Sequence, residues 1–117
     1  MNDDVLKHII KPERNIFTGI PKEIDKELFQ EVLKSDHLKI ERIVSNGQCS
    51  PQGFWYDQKQ NEWVLVLQGS AGMLFDNQDD IIVLKAGDYL FIPSGNKHRV
   101  EWTDSNINTI WLAIFFD

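Results

Sequence analysis

Between Ile81 and Trp102 the chain reads IIVLKAGDYLFIPSGNKHRVEW, three short apolar runs cut by Lys85-Ala86-Gly87-Asp88 and by Pro93-Ser94-Gly95-Asn96. Glycine supplies the backbone freedom of a tight turn, and Pro93 lacks the N–H that a ladder requires. The stretch therefore reads as strand, turn, strand, turn, strand in an antiparallel sheet. From Lys97 the pattern alternates, with His98, Val100 and Trp102 on one face and Lys97, Arg99 and Glu101 on the other. If the apolar face is the inner one, His98 points inward with it.

The rest of the chain extends this pattern. Residues 1–22, interrupted by Pro12, Gly19 and Pro21, read as an arm with a short edge strand around Asn15 to Thr18. Ile24, Leu28, Phe29, Val32 and Leu33 recur three and four apart, the spacing of one helical face, so a helix is expected over 24–34. From His37 the period becomes two: Leu38, Ile40, Arg42 and Val44 oppose Lys39, Glu41 and Ile43, and Ser45-Asn46-Gly47 ends the strand. The aromatic run Phe54-Trp55-Tyr56 and a polar loop lead to Glu62–Gln68, apolar on both faces in its middle and closed by Gly69. Ala71–Phe75 pairs back as a hairpin. In the last element, Thr109–Phe116, neither face is made for water, so one belongs in the core and the other under a cover such as a second subunit.

A chain of 117 residues holds one domain. The expectation is a single all-β domain over 1–117, with the arm and helix in 1–36 and a small barrel over 37–116, the helix packed outside it. Twelve basic against eighteen acidic residues give a formal charge of -6, without the basic cluster that tracks a phosphate backbone, so no nucleic-acid partner is expected. No apolar stretch approaches the length of a spanning helix, about 20 residues. The single cysteine, Cys49, and a start without a cleavage-like signal lead to the expectation of a cytoplasmic protein that does not enter the membrane.

The segment Gly87 to Val100 resembles the second characteristic motif of the cupins, with Gly87, Pro93, Gly95 and His98 in matching places. The first cupin motif resembles Gly47 to Gly69, where Glu62 and Gly69 match. Its paired histidines do not recur: Trp55 and Asp57 stand nearest, with Gln58 one residue on. The resemblance implies a double-stranded β-helix, a jelly-roll barrel, with a metal ligand at His98. Three imidazoles and a carboxylate hold iron, manganese, nickel or zinc well. Here the implied donors are His98, Glu62 and then Asp57 or Gln58, so the expected cofactor is one weakly bound divalent ion (Mn, Fe, Zn or Ni) in an oxygen-rich site closer to manganese or magnesium in character.

The residues support more than one function. His98 reads either as a pocket residue or as a structural histidine bonded within the fold. Glu62 reads as a rim carboxylate or as an inward partner of His98, in which case the two form an acid–base pair near neutral pH. Trp55, Phe91 and Trp102 read as pocket lining or core. The leading expectation is a homodimeric cupin-like protein with a small-molecule or weak metal site at His98, Glu62, Trp55, Phe91 and Trp102, its reaction unknown. The alternatives are a metal-dependent oxygenase or isomerase acting on a small metabolite, and a metal-free barrel for protein interaction.

Overall fold

The computed structural model describes residues 10–117 as two antiparallel sheets facing each other. Its strands are β1 (Leu28–Lys34), β2 (Leu38–Ser45), β3 (Asn61–Gln68), β4 (Ser70–Phe75), β5 (Ile82–Lys85), β6 (Tyr89–Ile92), β7 (His98–Thr103) and β8 (Thr109–Phe116). The larger sheet has the order β1-β2-β8-β3-β6, and the smaller has β5-β4-β7. Non-sequential neighbours such as β2-β8 and β4-β7 make this a jelly-roll arrangement, not a meander. The hydrophobic core lies between the sheets: Val64, Val66, Trp111, Ala113 and Ile92 from the larger meet Ala71, Met73, Phe75, Leu84 and Val100 from the smaller.

The helix expected over 24–34 is absent, and the same residues form edge strand β1, paired antiparallel to β2. The register shifts between Glu31 and Leu33, so Val32 is an extra residue in the strand. With Val32 extra, Leu28 and Leu33, five apart in sequence, face the same side of the sheet opposite Val44 and Ile40, a spacing that strict alternation would not show. Pairing also covers the edge of β2, which would otherwise present a row of unsatisfied backbone groups, and this tertiary demand overrides local periodicity.

The edge strand expected around Asn15–Thr18 is instead a turn, closed by Thr18 N donating to Asn15 O (3.2 Å) and Phe17 N donating to Asn15 Oδ1 (2.8 Å). An asparagine side chain replaces the ladder here. This segment is strapped to the sheet by Arg42, whose guanidinium donates to Ile16 O and Thr18 O. His8, in the arm, lies outside the described residues.

Candidate active site in the interior cavity

The site is built where β3 and β7 begin. Glu62 is the second residue of β3 and points into the sandwich because Val64 and Val66, two and four residues on, belong to the core. His98 opens β7 immediately after the Pro93–Asn96 turn, and its ring is 3% exposed. Their facing atoms, Glu62 Oε1 and His98 Nε2, are 3.7 Å apart. That is Coulombic contact, longer than a hydrogen bond.

The surroundings fix both groups. His98 Nδ1 lies 2.9 Å from Asn96 O, and a carbonyl only accepts, so Nδ1 carries a hydrogen and Nε2 is the nitrogen that faces Glu62. Tyr56 stacks on the imidazole at 5.4 Å between centroids, and Phe75 lies against it at 5.7 Å. The loop carrying Tyr56 is held by backbone bonds to His98 in both directions, 2.7 and 3.1 Å, and by the Arg99 guanidinium, which donates to Ser50 O, Pro51 O and Phe54 O. Gln58 Nε2 donates to Glu62 Oε1 at 2.7 Å. Burial pushes the Glu62 carboxyl above its ordinary range, against the lowering effects of Gln58 and His98.

These residues line a cavity of about 70 Å³, walled otherwise by Val64, Met73, Val100, Trp111 and Phe115. Glu27 also lines it. Its carboxylate accepts from Ser45 Oγ at 2.6 Å, and burial raises its pKa against that bond. The Tyr56 hydroxyl is pushed up by burial and then by the fields of Glu27, Glu62 and Glu41. Outside, sharing Tyr56, Gln58 and Phe115, lies a groove of about 420 Å³ that adds Phe29, Lys39, Glu41, Lys59 and Gln60.

Of the residues singled out in the sequence, the structure brings Glu62, His98 and Gln58 together on this cavity. Asp57 is exposed on the loop. Trp55 is half-buried, with the Arg99 guanidinium 6.0 Å from its ring centroid. Phe91 is exposed on the opposite face of the larger sheet, 6.2 Å from Phe116. Trp102 also faces away. Gly72 pairs with Trp102 and Met73 with Val100, so Glu101 is a bulge that turns Trp102 out and Thr103 in. Glu27 is the cavity-lining carboxyl the sequence reading missed, because a helix over 24–34 gives it no partner. Read as the continuation of β1, the pairing Leu28↔Val44 sets Glu27 beside Ser45.

A divalent ion is a poor match to these donors. His98 Nε2 and Glu62 are adjacent, but Glu62 is already held by Gln58, and Asp57 does not line the cavity. Among the described residues no three histidine, cysteine, aspartate or glutamate side chains converge as an ion-binding set. Two donors fall short of the three or four that hold a transition metal.

The sequence profile of the cupin domain family matches residues 44–115. A crystal structure of a "putative mannose-6-phosphate isomerase" from Ralstonia eutropha JMP134 is 46% identical, covers 92% of this chain and 99% of its own, and superposes with a TM-score of 0.88. A cupin superfamily protein from Desulfitobacterium hafniense DCB-2 (22% identity, 83% of each chain, TM-score 0.68) and a polyketide cyclase from Streptomyces resistomycificus (18%, 79% of this chain and 66% of the other, 0.67) share the fold. No curated protein matches. With the profile spanning most of both sheets and a 46% identical relative over nearly the whole chain, this protein belongs to the cupin family.

Proposed function

We propose that the chain is an isomerase that moves a proton between adjacent carbons of a small hydroxy-carbonyl compound, with Glu62 as the carbon acid and base. The observation that carries this reading is a buried carboxyl, its basicity raised by desolvation, 3.7 Å from an imidazole whose Nδ1 is anchored to Asn96 O, on the wall of a small cavity. A carboxylate in that setting has a proton affinity suited to work near neutral pH. The inner cavity takes the reacting carbons. The outer groove takes the remainder of the substrate, and Lys59 there suits an anionic group such as a phosphate, beside Lys39, whose ammonium is paired with Glu41 Oε1 at 3.4 Å. The 46% identical relative is named for a sugar-phosphate isomerisation, which favours the same class of chemistry. Trp55 and Asp57 then stand near where the first cupin motif carries its paired histidines.

The test is to incubate the protein with a panel of hexose and pentose phosphates, mannose 6-phosphate included, in D₂O and follow deuterium entry by proton NMR. Interconversion with label at the two adjacent carbons is expected, with E62Q and H98A each slower by about 10²-fold or more. A chelator should leave the rate within about twofold, given the two-donor site. No exchange from any panel member, or E62Q at the wild-type rate, overturns the reading. The apolar lining by Val64, Met73, Val100, Trp111 and Phe115 favours a second reading, a binding module; its signature is ligand-induced thermal stabilisation without exchange.

We also propose a homodimer formed through the outer face of the larger sheet. Trp63, Leu65, Leu112, Ile114 and Phe116 are only half-buried there, and Tyr89 and Phe91 are exposed. A continuous apolar surface of this kind is a protein interface more often than a solvated face.

A further inference from the structure

We propose that Glu27 is the second proton carrier of the cavity, working on the substrate's oxygens while Glu62 works on its carbons; this rests on the isomerase reading above. Aldose–ketose interconversion needs two such carriers. Glu62 carboxylate takes the proton from the carbon bearing a hydroxyl, and that C–H pair becomes the C=C bond. The carbonyl π pair moves to oxygen, which takes the proton of the Glu27 carboxyl, giving an enediol. Glu27 carboxylate then accepts the proton of the other hydroxyl, whose oxygen becomes the new carbonyl, as the C=C pair recovers the carbon proton from Glu62. Both carboxyls end as they began.

The geometry prepares Glu27 for this part. Trp111 Nε1 donates to Ser45 Oγ at 3.2 Å, and an indole N–H only donates. The Ser45 hydrogen is therefore turned toward Glu27 Oε2, 2.6 Å away, which leaves Oε1 to carry the carboxyl proton. Ser45 and Trp111 are both buried, so this chain is shielded from exchange with bulk water. Desolvation of Glu27 favours the neutral, proton-donating form.

Glu27 reaches the cavity because the strap before β1 is pinned at several points. Arg42, itself buried, holds Ile16 O and Thr18 O, and Gln48 Nε2 donates to Ile24 O at 3.3 Å. A strap needed only to cover the sheet would be served equally well by glutamine at 27, which keeps an acceptor for Ser45 but has no proton to give. The titratable groups that line the cavity with Glu27 are Glu62 on β3, His98 on β7 and Tyr56 on the loop, and the Glu27 charge bears on the Tyr56 hydroxyl.

The experiment compares wild type, E27Q, S45A and E62Q over pH 5–9 with a turned-over sugar phosphate. E27Q is expected to lower kcat about 10²-fold with KM within about threefold, and to flatten the alkaline limb of the kcat profile, where the oxygen-side acid loses its proton. S45A removes the bond that lowers the Glu27 pKa, so its alkaline limb should move to higher pH. E27Q within about threefold of wild type, while E62Q is inactive, overturns the role of Glu27 and leaves the isomerase reading standing. If the wild type turns over no panel member, the isomerase reading has failed, and ¹³C-carboxyl titration of the folded wild type decides on Glu27 alone. A carboxyl that titrates above the ordinary glutamate range and responds to E62Q keeps it as a proton carrier of the cavity; one that titrates as an exposed glutamate and ignores E62Q removes it. This measurement also serves if E27Q does not fold.

Discussion

The two faces of the five-stranded sheet are made by alternate residues of the same strands, yet they solve opposite problems. On the inner face Glu62, Val64 and Val66 of β3 lie beside Trp111, Ala113 and Phe115 of β8, and nearly all are closed off from water. On the outer face Trp63 and Leu65 lie beside Ile114 and Leu112, with Phe91 and Tyr89 across β3 on β6. Apolar character is therefore no guide to which face holds the site. The inner face carries a buried carboxyl, Glu62, that faces His98 of the opposing three-stranded sheet across the cavity; the buried ionisable group of the outer face, Arg42 of β2, is saturated by Gln30 and the carbonyls of Ile16 and Thr18 and faces no cavity partner. A site is marked by polar groups that burial makes costly, and an interface by apolar groups that burial would stabilise.

The sharpest break of this comparison is a charge placed on either face at neighbouring residues. Val66 is wholly buried, so V66D puts a carboxylate in the core without a partner and should cost more than about 4 kcal/mol, enough to unfold much of a marginally stable domain. Circular dichroism at 25 °C reads the outcome; a cooperatively folded V66D would mean the core tolerates a charge and the contrast is false. Next in size is L65D/I114D on the outer face. It should leave the fold intact but convert a particle of twice the 13.6 kDa chain mass to a monomer in light scattering at micromolar concentration. A wild type that already scatters as 13.6 kDa removes the proposed interface.

How much of this was legible in the sequence follows the range of the forces involved. β5, β6 and β7 were readable because Gly87 and Pro93–Asn96 punctuate them within a few residues. Gly69 was readable as a hairpin glycine for the same reason: its φ is +82°, and a Cβ there would sit 2.8 Å from Thr109 Cα. Glu62 and His98 were readable from alternation and from the cupin resemblance. β1, the orientation of Trp102 and the place of Glu27 were not, and each depends on pairing between distant segments. Val32 and Glu101 are bulges, and one extra residue reverses every later inference from a period of two. A bulge leaves no mark in composition, because it is set by the partner strand.

The Glu101 bulge offers a test of intermediate size. Trp102 is turned out and lies over Gly72, where an added Cβ would meet its Cδ1 at 2.7 Å. G72A should therefore cost about 1–3 kcal/mol by overpacking, and W102A should recover most of that loss, since the neighbour in the way is a partly exposed ring. A double-mutant cycle by urea denaturation measures the coupling. Additive losses would mean that the ring and the glycine do not touch, and that the bulge does not aim Trp102 as described.

The smallest effect follows from the cost of keeping carboxyls on the inner face. The folded-state pKa of Glu62 is raised, first by desolvation, above the value of 4.5 that it has when exposed. Below that value the group is protonated whether the chain is folded or not, and it costs little beyond its hydrogen bonds. As pH rises from 4.5 through the raised folded pKa, the unfolded chain gives up its proton first, so stability falls across that window and levels off above it. E62Q keeps an acceptor for Gln58 and has no proton to lose. Its melting temperature should therefore gain on that of wild type as pH rises from 4.5 toward 8, with the difference constant once Glu62 is ionised in both states. The monomeric outer-face variant L65D/I114D introduces carboxylates that water can reach, so its difference from wild type should be nearly flat over the same range. Differential scanning calorimetry at half-unit steps of pH separates the two patterns. A flat E62Q difference would show that burial does not raise the Glu62 pKa, and with it would go the basicity on which the proposed proton transfer depends.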